Sequence, residues 1–566
     1  MTLSARVAMN NKKNLILEEY ENELSYKQSN TNLDIQFNRI AFIFFVFLMI
    51  SVIYSIQLLH LGSLKAEDSK KLLTVNKNHR ADILDRNGNY LVKTVKSIDI
   101  GINPIEVIDK KKLLINLQLI FPNKNYAEVI KKLEKNKFFY FEKKISSENY
   151  EKIMLLGDKS IKSEEKLTRI YPQKNLFSHI IGQIDDDNKG ISGLEKSFNE
   201  KLKQTSEPLK LTVDTDIQFL IREELVKFQS IFRSKGSTAI LMNVNNGEII
   251  SMVSYPDFDL NKREKIVDLN FINRATKGVY ELGSVFKTFT VAAGLEEGLI
   301  NTDTEFLNLE KRLQCGKSSI SEYDNKIPSD LTVEQILIRS GNIGSVRIGQ
   351  KLEIIKLKAF LEKIGILSKI NFDIEEVGEP IPFKWGKCKL ATVSFGHGIT
   401  TTPLQLAKAY AIISNGGFAV EPSLIKNELK NYQKKKRIIK AGISEKINPI
   451  LRKIVTTKEG TAGFVNIEGY EVGGKTGTAQ KTIVGGYSKA KVNTFAGIFP
   501  ASNPKYVLIV LLDEPKTSSD YVYEYKNKKG SYKGTPFNTA GWTSVEVAGK
   551  IIEKIGPILA TKHMEN

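Results

Sequence analysis

Cysteine and histidine are scarce in this chain. Its 566 residues include two cysteines, Cys315 and Cys388, and five scattered histidines, with no H-E-x-x-H pattern. So few ligands exclude a disulfide framework and a cysteine-based zinc site, and they predict no metal site and no cofactor. A single disulfide stays open, because the sequence says neither whether the two cysteines meet nor which compartment holds them.

An arginine-rich arm is absent, and so is an alternation of aromatic and basic residues. The formal net charge is nevertheless +19, which suits a partner with phosphates or an anionic membrane. The lysines, however, are spread along the whole chain, including its ordinary helical stretches. We therefore attribute the charge to general composition and predict no nucleic-acid binding.

Long uncharged apolar runs are rare, and residues 40–61 form the clearest one. They read IAFIFFVFLMISVIYSIQLLHL, which corresponds to roughly 33 Å of helix at about 1.5 Å per residue, enough to span a bilayer. The run lies too far from the N-terminus, and is too long, for a typical cleaved signal peptide. We predict a single membrane-spanning helix that acts as a signal anchor.

The basic residues near this run leave its orientation open. Lys27 and Arg39 precede it, and a larger set follows it, namely Lys65, Lys70, Lys71, Lys77 and Arg80. A positive-inside count alone would place the larger part of the chain in the cytoplasm, but long domains translocate largely regardless of charge. The topology must therefore be inferred from the chemistry of the chain.

The rest of the chain divides into regions that differ in composition and in their strand and helix patterns. Residues 1–39 are polar and predict a disordered tail, and residues 62–208 are lysine-rich with a hairpin signal at Asn87-Gly88. From residue 209 to residue 558 strand and helix patterns mix, beginning with two strands joined at Asn246-Gly247. Strands at both ends of this region, with helices between them, predict a mixed α/β domain whose sheet uses both ends. A short tail, residues 559–566, follows.

The stretch GYEVGGKTGTAQ has two interpretations. Gly469, Gly474, Lys475 and Thr476 satisfy the P-loop pattern for nucleotide phosphates, and the apolar run ending at Asp513 resembles the acidic strand of such proteins. A P-loop, however, needs a helix directly after its lysine and threonine, and the glycines that follow here interrupt one. Nucleotide binding is therefore disfavoured, and Asp513 is predicted to be a strand-end or turn residue.

The second interpretation takes K-T-G as one of three motifs, S-x-x-K, S-x-N and K-T-G, that occur together in penicillin-recognising serine enzymes. Alone each is weak, since S-x-x-K occurs five times, S-x-N three times and K-T-G once. The specificity lies in the ordered set: Ser284 and Lys287, then Ser340 and Asn342, then Lys475, Thr476 and Gly477.

Ser284 and Lys287 form a plausible nucleophile and base by themselves. In YELGSVFKTFT they are three residues apart and share one face if a helix begins near Gly283. A serine at a helix start lies where backbone N–H groups and the helix dipole favour negative charge. A lysine desolvated by apolar neighbours can lose its proton and act as a base, so this pair needs no histidine.

From about His79 to Ile558 the chain resembles a class B penicillin-binding protein. RADILDRNG, RIYPQKNLFSHIIGQI and GISGLEKSF resemble the stalk motifs, with Ala81 where glycine is usual. NRATKGVYELGSVFK resembles the nucleophile segment, with Leu282 replacing the usual proline. SFGHGITTTPLQLA and the C-terminal FPASNPKYVLIVLLDEPK resemble the septal, cell-division type, FtsI, rather than the elongation type.

The resemblance implies a mixed α/β architecture with a single N-terminal transmembrane helix. Residues 62–208 would form an elongated α+β pedestal, or dimerisation-like, domain. Residues 209–558 would form a penicillin-binding, serine transpeptidase-like domain with a mainly antiparallel sheet flanked by helices. The implied activity is peptidoglycan D,D-transpeptidation, which cross-links stem peptides of the septal wall through a serine acyl-enzyme formed on D-Ala-D-Ala.

The resemblance also implies catalytic roles. Ser284 would attack the carbonyl of the penultimate D-Ala, and Lys287 would accept its proton. Ser340 would relay a proton to the departing amine, with the cation of Lys475 nearby. Asn342 would hold the amide of the acyl peptide.

Substrate binding is assigned to the strand that follows Lys475. Thr476 and Thr478 would bind the substrate carboxylate by their hydroxyls, and Gly477 would leave room for the peptide. The backbone N–H groups of Ser284 and Thr478 would form the oxyanion hole. His397 is expected to be structural or to flank the substrate.

The implied partners are D-Ala-D-Ala stem peptides, β-lactams, a membrane glycan polymerase of the FtsW type and other division proteins. The implied location is the bacterial inner membrane at the division septum, with a single pass, residues 1–39 in the cytoplasm and the catalytic domain in the periplasm. Two alternatives stay open: an elongation-type transpeptidase, and a catalytically silent septal scaffold or β-lactam sensor, since intact motifs do not prove turnover.

Overall fold

A computed structural model describes residues 32–63, 79–262, 269–316, 318–427, 436–483, 486–524 and 530–564. The chain divides into two units, residues 1–77 and 78–566. In the first, helix α1 (Asn32–Ser63) contains a stretch long and apolar enough to cross a membrane. The helix starts before the predicted run 40–61, since no proline or glycine interrupts the residues preceding Ile40. Residues 1–31 of the predicted tail lie outside the described residues.

The second unit begins with the predicted hairpin at Asn87-Gly88, which is confirmed. Strand β1 (Ile83–Leu84) pairs antiparallel with β2 (Tyr90–Ile102), and Gly88 has a φ of +89°, a conformation that glycine adopts without strain. Strand β2 also pairs with two later strands, β3 (Phe139–Ile145) and β4 (Ile161–Ile170). Six helices accompany them in the described chain: α2 (Lys110–Ile120), α3 (Tyr126–Glu134), α4 (Ser147–Met154), α5 (Ser178–Ile181), α6 (Gly193–Ser197) and α7 (Asn199–Gln204).

The three stalk motifs meet in a buried ion triad. Glu195, from GISGLEKSF, accepts hydrogen bonds from Nε of Arg80, from RADILDRNG, and from Nε of Arg169, which precedes IYPQK. The Arg169 Nε–Glu195 Oε1 distance is 2.8 Å. All three side chains are buried. Because a buried charge needs a partner, each of these three side chains depends on the other motifs for its compensating charge.

The main sheet is five-stranded and antiparallel, in the order β12-β13-β14-β6-β7. The predicted hairpin at Asn246-Gly247 is confirmed, and so is a sheet drawn from both ends of this region. Its strands are β6 (Gly236–Asn243), β7 (Ile249–Tyr255), β12 (Gly473–Ile483), β13 (Gly486–Phe499) and β14 (Tyr506–Asp513). Strands β6, β7 and β14 are nearly continuous runs of buried side chains, as expected for strands covered on both faces.

Helices flank this sheet. The segment TPLQLAKAYAIIS forms helix α13, and Thr402 and Gln405 form its capping box. The last helix, α15, continues to Met564, into the segment predicted as a tail from residue 559. The helices of this region are α8 (Thr215–Phe232), α9 (Lys287–Glu296), α10 (Val333–Ile338), α11 (Asn342–Lys363), α12 (Lys387–Val393), α13 (Pro403–Ser414), α14 (Ala441–Thr456) and α15 (Ser544–Met564).

Short strands complete the unit. Six of them form three antiparallel pairs, and the seventh, β5, pairs with β1 in parallel. These strands are β5 (Leu209–Lys210), β8 (Glu305–Phe306) with β11 (Leu331–Thr332), β9 (Arg312–Cys315) with β10 (Ser318–Ser321), and β15 (Val522–Glu524) with β16 (Ser531–Lys533).

Two groups of buried apolar side chains stabilise the second unit. A small group lies between β2, β3, β4 and the helices α2 to α4. The large group includes Leu202 and Leu211, one on each side of the predicted boundary at residue 208. The apolar core is therefore continuous across that position, and the exact boundary stays a prediction.

Candidate active site

Ser284 lies in a 3₁₀ turn, Gly283–Phe286, that leads directly into α9. Side chains three residues apart eclipse in such a turn, so Ser284 and Lys287 lie on one side of it. Ser284 is half-buried, whereas Lys287 is fully buried. The predicted helix start at Gly283–Ser284 is confirmed, with a 3₁₀ first turn.

Two glycines bring this turn into backbone contact with β12. Gly283 has a φ of +61°, and a Cβ placed on it would lie 2.8 Å from the carbonyl oxygen of Thr478. A Cβ on Gly477 would lie 2.1 Å from the carbonyl oxygen of Leu282. A side chain at either position would collide with backbone. The two N–H groups predicted to form the oxyanion hole, those of Ser284 and Thr478, thus belong to segments that touch.

The amine of Lys287 is held by the S-x-N segment. It donates to Oδ1 of Asn342 at 2.7 Å, to Oγ of Ser340 at 3.2 Å and to the carbonyl of Ser340. Burial lowers the pKa of Lys287 to about 7, against the opposing effect of the Glu322 charge. Near neutral pH a large fraction of this amine is therefore uncharged and can accept a proton.

Lys475 reaches the same serine from β12. Its Nζ donates to Oγ of Ser340 at 2.8 Å and to the carbonyl of Thr476 at 3.2 Å. Burial, together with the charge of Lys287, holds the pKa of Lys475 well below its usual value. Because two neighbouring cations disfavour each other, a proton on one amine promotes deprotonation of the other. The hydroxyl of Ser340 contacts both amines, so a proton can pass through it.

Ser340 and Asn342 are placed by an unusual backbone and by side-chain bonds. Ser340 has a φ of +58°, in the left-handed region that non-glycine residues rarely adopt. Asn342 is the first residue of α11, and its Nδ2 donates to the carbonyl of Ser321 at 2.8 Å. The asparagine side chain is thus held at both ends, by Lys287 and by Ser321, and retains one N–H for another acceptor.

The threonine hydroxyls of β12 have partners within the protein. Oγ1 of Thr476 lies 2.7 Å from Oγ1 of Thr461. Oγ1 of Thr478 accepts the backbone N–H of Ala540 at 2.9 Å, which leaves its own hydroxyl proton free to be donated. Both hydroxyls therefore stand in ordered positions on the strand that carries Lys475.

The K-T-G segment is buried although it lies in the edge strand of the sheet. Lys475 and Thr476 are buried. The turn that contains Ser284 packs on β12 at Gly477, and the hydroxyl of Thr476 meets that of Thr461. The same geometry excludes a P-loop, since Lys475 and Thr476 lie inside β12, which continues to Ile483, and the next described element is the strand β13. Asp513 ends β14 and pairs with Lys481 at 2.9 Å, so its predicted role as a strand-end residue is confirmed.

A polar cluster near the nucleophile segment was not predicted. The hydroxyl of Tyr487 donates to Oε1 of Glu281 at 3.2 Å, and Nδ1 of His397 lies 3.6 Å from Oε2 of the same carboxylate. The rings of His397 and Tyr487 stack at 4.5 Å. Burial lowers the pKa of His397, with Glu281 opposing and Lys389 reinforcing the shift. His397 lies in the SFGHGI motif, whereas the position of Glu281, three residues before Ser284, is the signal that could have identified this glutamate. The structural or substrate-flanking role of His397 stays a prediction.

Cys315 and Cys388 form a disulfide, which answers the question that the sequence left open. Their Cα atoms lie 5.4 Å apart, and 73 positions separate them in the chain. The bond ties β9, whose partner β10 ends at Ser321, to the start of α12. The hairpin that leads to Ser321 is therefore covalently anchored to a helix.

The chemistry of this site belongs to a known class. A half-buried serine stands at a helix start, and two buried amines share the hydroxyl of a second serine. No histidine is among the hydrogen-bond partners of either amine in the described residues. Serine acyl transfer without histidine uses a lysine base in this manner.

Comparison with protein families assigns the two parts of the second unit. Residues 237–535 match the penicillin-binding protein transpeptidase domain. Residues 76–227 match the penicillin-binding protein dimerisation domain. The transpeptidase match covers more than half of the chain, so the chain belongs to the penicillin-binding protein transpeptidase family, and within it to the class B proteins of FtsI type.

Individual proteins that are similar to this chain include two that are named as peptidoglycan D,D-transpeptidases. A probable peptidoglycan D,D-transpeptidase FtsI of Caulobacter vibrioides is 29% identical over 497 residues, covering 85% of this chain and 82% of the relative. Stage V sporulation protein D of Bacillus subtilis is 30% identical over 483 residues, covering 77% and 74%. Peptidoglycan D,D-transpeptidase FtsI of Buchnera aphidicola subsp. Schizaphis graminum is 29% identical over 522 residues, covering 85% and 90%.

Proposed function

We propose that this chain cross-links peptidoglycan stem peptides of the septal wall during cell division. It is a serine-type D,D-transpeptidase that acts on peptidoglycan and binds β-lactams, as its family membership implies. The septal assignment rests on the similarity to proteins named FtsI. The resemblance of SFGHGITTTPLQLA to the division type supports it further.

The acylation step would proceed as follows. Oγ of Ser284 attacks the carbonyl carbon of the penultimate D-Ala, and its proton passes to the neutral amine of Lys287. The N–H groups of Ser284 and Thr478 stabilise the oxyanion of the tetrahedral intermediate. As the C–N bond breaks, the departing D-Ala amine takes a proton through the hydroxyl of Ser340, which Lys475 contacts. An ester on Ser284 and free D-Ala result.

The transfer step would reverse these proton movements. The amine of a neighbouring stem peptide attacks the ester carbonyl and gives up a proton to the Ser340 and Lys287 network. A new amide bond forms, and Ser284 leaves with its proton restored. Because two amines share one hydroxyl, the network can give and take one proton in each half of the reaction.

Substrate contacts are assigned to the edge strand. The remaining N–H of Asn342 would hold the amide of the acyl peptide. The ordered hydroxyls of Thr476 and Thr478 would bind the terminal carboxylate of D-Ala-D-Ala, and Gly477 keeps the strand in contact with the nucleophile turn. A β-lactam would acylate Ser284 in the same way, and its carboxylate would take the same threonine contacts.

The observation that carries this proposal is the contact of two buried amines with one serine hydroxyl, beside the turn that holds Ser284. Neither Lys287 nor Lys475 has a carboxylate within hydrogen-bonding distance among the described residues. A lysine placed only for stability would normally pair with a carboxylate. Amines without a carboxylate partner that share the hydroxyl of Ser340 are suited to proton transfer instead.

The nucleophile assignment is tested with fluorescent penicillin. The full-length protein is expected to become covalently labelled, and peptide mapping should find the label on Ser284. Ser284→Ala should abolish labelling and leave the thermal midpoint at or above that of the parent. Labelling that survives in Ser284→Ala would overturn the assignment.

Turnover needs a separate test, because a β-lactam sensor would also be labelled. Purified protein is incubated with lipid-linked peptidoglycan precursor and a glycan polymerase, and cross-linked muropeptides are measured by mass spectrometry. Cross-links that require Ser284 support transpeptidation. Labelling without cross-links would favour the silent scaffold.

We further propose that α1 anchors the chain in the inner membrane with residues 78–566 on the periplasmic side. The disulfide supports this orientation, because such bonds persist in oxidising compartments. The D-Ala-D-Ala substrate is also outside the cytoplasm. A reporter active only after export, fused after Leu61, should be active, and an inactive reporter would contradict the orientation.

The partners proposed for the chain are a membrane glycan polymerase of the FtsW type and other division proteins. The polymerase supplies uncross-linked glycan strands, which are the substrate of a transpeptidase. Fluorescence microscopy of a tagged chain should show it at midcell in dividing cells. A signal spread along the lateral wall would favour the elongation-type alternative.

A further inference from the structure

Glu322 is a carboxylate at the active site to which the sequence motifs assign no role. It directly follows β10 and is half-buried. Its Oε2 accepts the backbone N–H of Asn342 at 2.7 Å, and its Oε1 accepts that of Ile343 at 2.9 Å. Both oxygens are therefore committed to the first two residues of α11.

Helix α11 depends on this carboxylate for its start. The residue at its N-cap is Gly341, which has no side chain to cap the helix. By contrast, α10 and α13 are capped by the threonines that precede them, Thr332 and Thr402. A carboxylate at a helix N-terminus satisfies free N–H groups and complements the helix dipole. Glu322, which comes from another segment, therefore supplies the hydrogen-bond acceptors that Gly341 cannot provide at the start of α11.

We propose that Glu322 is a positioning residue of the acyl-transfer reaction, whose carboxylate fixes Asn342 at the start of α11 and thereby sets the positions of Lys287 and Ser340. Asn342 transmits this effect, because its Oδ1 accepts a hydrogen bond from Lys287 at 2.7 Å. The inference rests on the proposed roles of Ser284 and Lys287. It adds a residue that neither the motifs nor their spacing identify.

The charge of Glu322 acts on the same lysine. Among the described residues, the charges that interact with Lys287 are those of Lys475 on β12 and Glu322 after β10. Asp324 and Arg339 act on Tyr323, the residue that follows Glu322. Glu322 raises the pKa of Lys287 against the larger effect of burial. It therefore opposes the deprotonation that makes Lys287 a base, so removing the charge should lower that pKa further.

The backbone around Glu322 is fixed by covalent and noncovalent contacts. The N–H of Glu322 donates to the carbonyl of Lys311 across the β9–β10 hairpin, at 3.3 Å. The Cys315–Cys388 disulfide ties this hairpin to α12. Helix α12 ends beside α11, where a Cβ on Gly349 would lie 1.8 Å from Oγ of Ser394. The carboxylate is thus carried by a frame that also contacts the helix it caps.

The decisive experiment measures penicillin acylation as a function of pH for Glu322→Gln and Glu322→Asp in the full-length protein. Glu322→Gln is isosteric and removes the charge. We expect it to slow acylation about tenfold and to move the acidic limb of the pH profile to lower pH, by up to about one unit. Glu322→Asp keeps the charge but shortens the side chain. The acidic limb of its pH profile should therefore coincide with that of the parent, while its acylation rate falls.

Glu310→Gln is the matched control. Glu310 also pairs with α11, through Arg347 at 2.6 Å, but it does not contact the site residues. Its acylation rate and pH profile should equal those of the parent. Thermal midpoints of all variants verify that each is folded at every pH used.

Two results would overturn the inference. One is a Glu322→Gln variant that acylates at the parental rate. The other is a uniform loss of rate with an unmoved acidic limb, which would assign Glu322 a purely structural role. Ser284→Ala separates these results from a failure of the proposed function, because persistent labelling of that variant would refute the nucleophile whatever Glu322 does.

Discussion

The Nζ atom of Lys475 lies 2.8 Å from the hydroxyl oxygen of Ser340, although 135 positions separate the two residues in sequence. Lys287 donates to the same hydroxyl at 3.2 Å. Both amines are fully buried. The pH dependence and the stability of the protein should therefore both reflect the cost of placing two amines in a dry site.

Acylation should lose rate below about pH 7. Lys287 accepts a proton only when it is neutral, and burial lowers its pKa to about 7. Below that value the neutral fraction falls about tenfold per pH unit. The measurement is the second-order rate constant of penicillin acylation across pH, with thermal unfolding at each pH as the control. An acidic limb near the ordinary lysine value of 10.5 would contradict a neutral Lys287.

Lys287→Met should abolish acylation and stabilise the fold at neutral pH. The pKa of Lys287 is about 7 in the folded protein, against an ordinary value of 10.5. The unfolded chain therefore binds more protons between these values, and stability rises with pH through that window. Methionine removes this penalty, so the thermal midpoint at pH 7 should rise by a few degrees.

The pH dependence of unfolding provides the check on Lys287→Met. The increase in stability between about pH 7 and pH 10.5, expected for the parent, should shrink in the variant. Differential scanning calorimetry at several pH values measures it. A midpoint below that of the parent at pH 7 would show that the lost hydrogen bonds outweigh the relief from burial.

Gly477→Ala should destroy the site. A Cβ there would lie 2.1 Å from the carbonyl oxygen of Leu282, so β12 and the nucleophile turn must separate. We expect penicillin labelling to fall by at least about a hundredfold, with ~2 kcal/mol or more of lost stability. Gly442→Ala is the matched control, because nothing lies within 4 Å of the added atom. Equal labelling of both variants would show that the contact is dispensable.

Breaking the Cys315–Cys388 disulfide should destabilise the protein and slow acylation. The bond spans 73 positions, for which chain entropy predicts a loss of about 4 kcal/mol. Acylation should slow because the freed β9–β10 hairpin carries Glu322. Thermal unfolding and labelling with and without reductant measure both effects. A Cys315→Ser, Cys388→Ser double variant should be insensitive to reductant, and an unchanged midpoint in the reduced parent would refute the prediction.

Glu195→Gln should be strongly destabilising. The substitution leaves the buried guanidinium groups of Arg80 and Arg169 without their shared carboxylate, and breaking a buried ion pair in this way costs about 3–5 kcal/mol. Urea unfolding measures the loss. Glu148→Gln is the control, because its pair with Lys152 is exposed and such a pair contributes little to stability. Similar losses in both variants would mean that burial of the triad does not matter.

Much of the fold could be predicted from the sequence because the relevant signals are local. Asn87-Gly88 and Asn246-Gly247 predicted two hairpins, since glycine adopts positive φ without strain. The apolar run after Arg39 predicted α1, although the start of that helix at Asn32 was missed, because polar residues carry no apolar periodicity.

The candidate site was only partly predictable. Its residues were found because S-x-x-K, S-x-N and K-T-G occur in order, but the burial of Lys475 and Thr476 was not foreseen. Burial of an edge strand depends on what packs over it, and the covering turn comes from a distant segment. Glu322 was missed for a similar reason, since a single glutamate after a short strand carries no pattern.

The sequence by itself determined the order of the motifs, the long apolar helix and the strand and helix patterns of the domain, since these depend on neighbouring residues. Only the tertiary structure decided that two lysines share one serine, that Glu322 caps α11, that Arg80 and Arg169 share Glu195, and that the two cysteines bond. Each of these contacts joins residues distant in sequence. Folding brings them together, and burial then lowers the pKa values of the two lysines, Lys287 and Lys475.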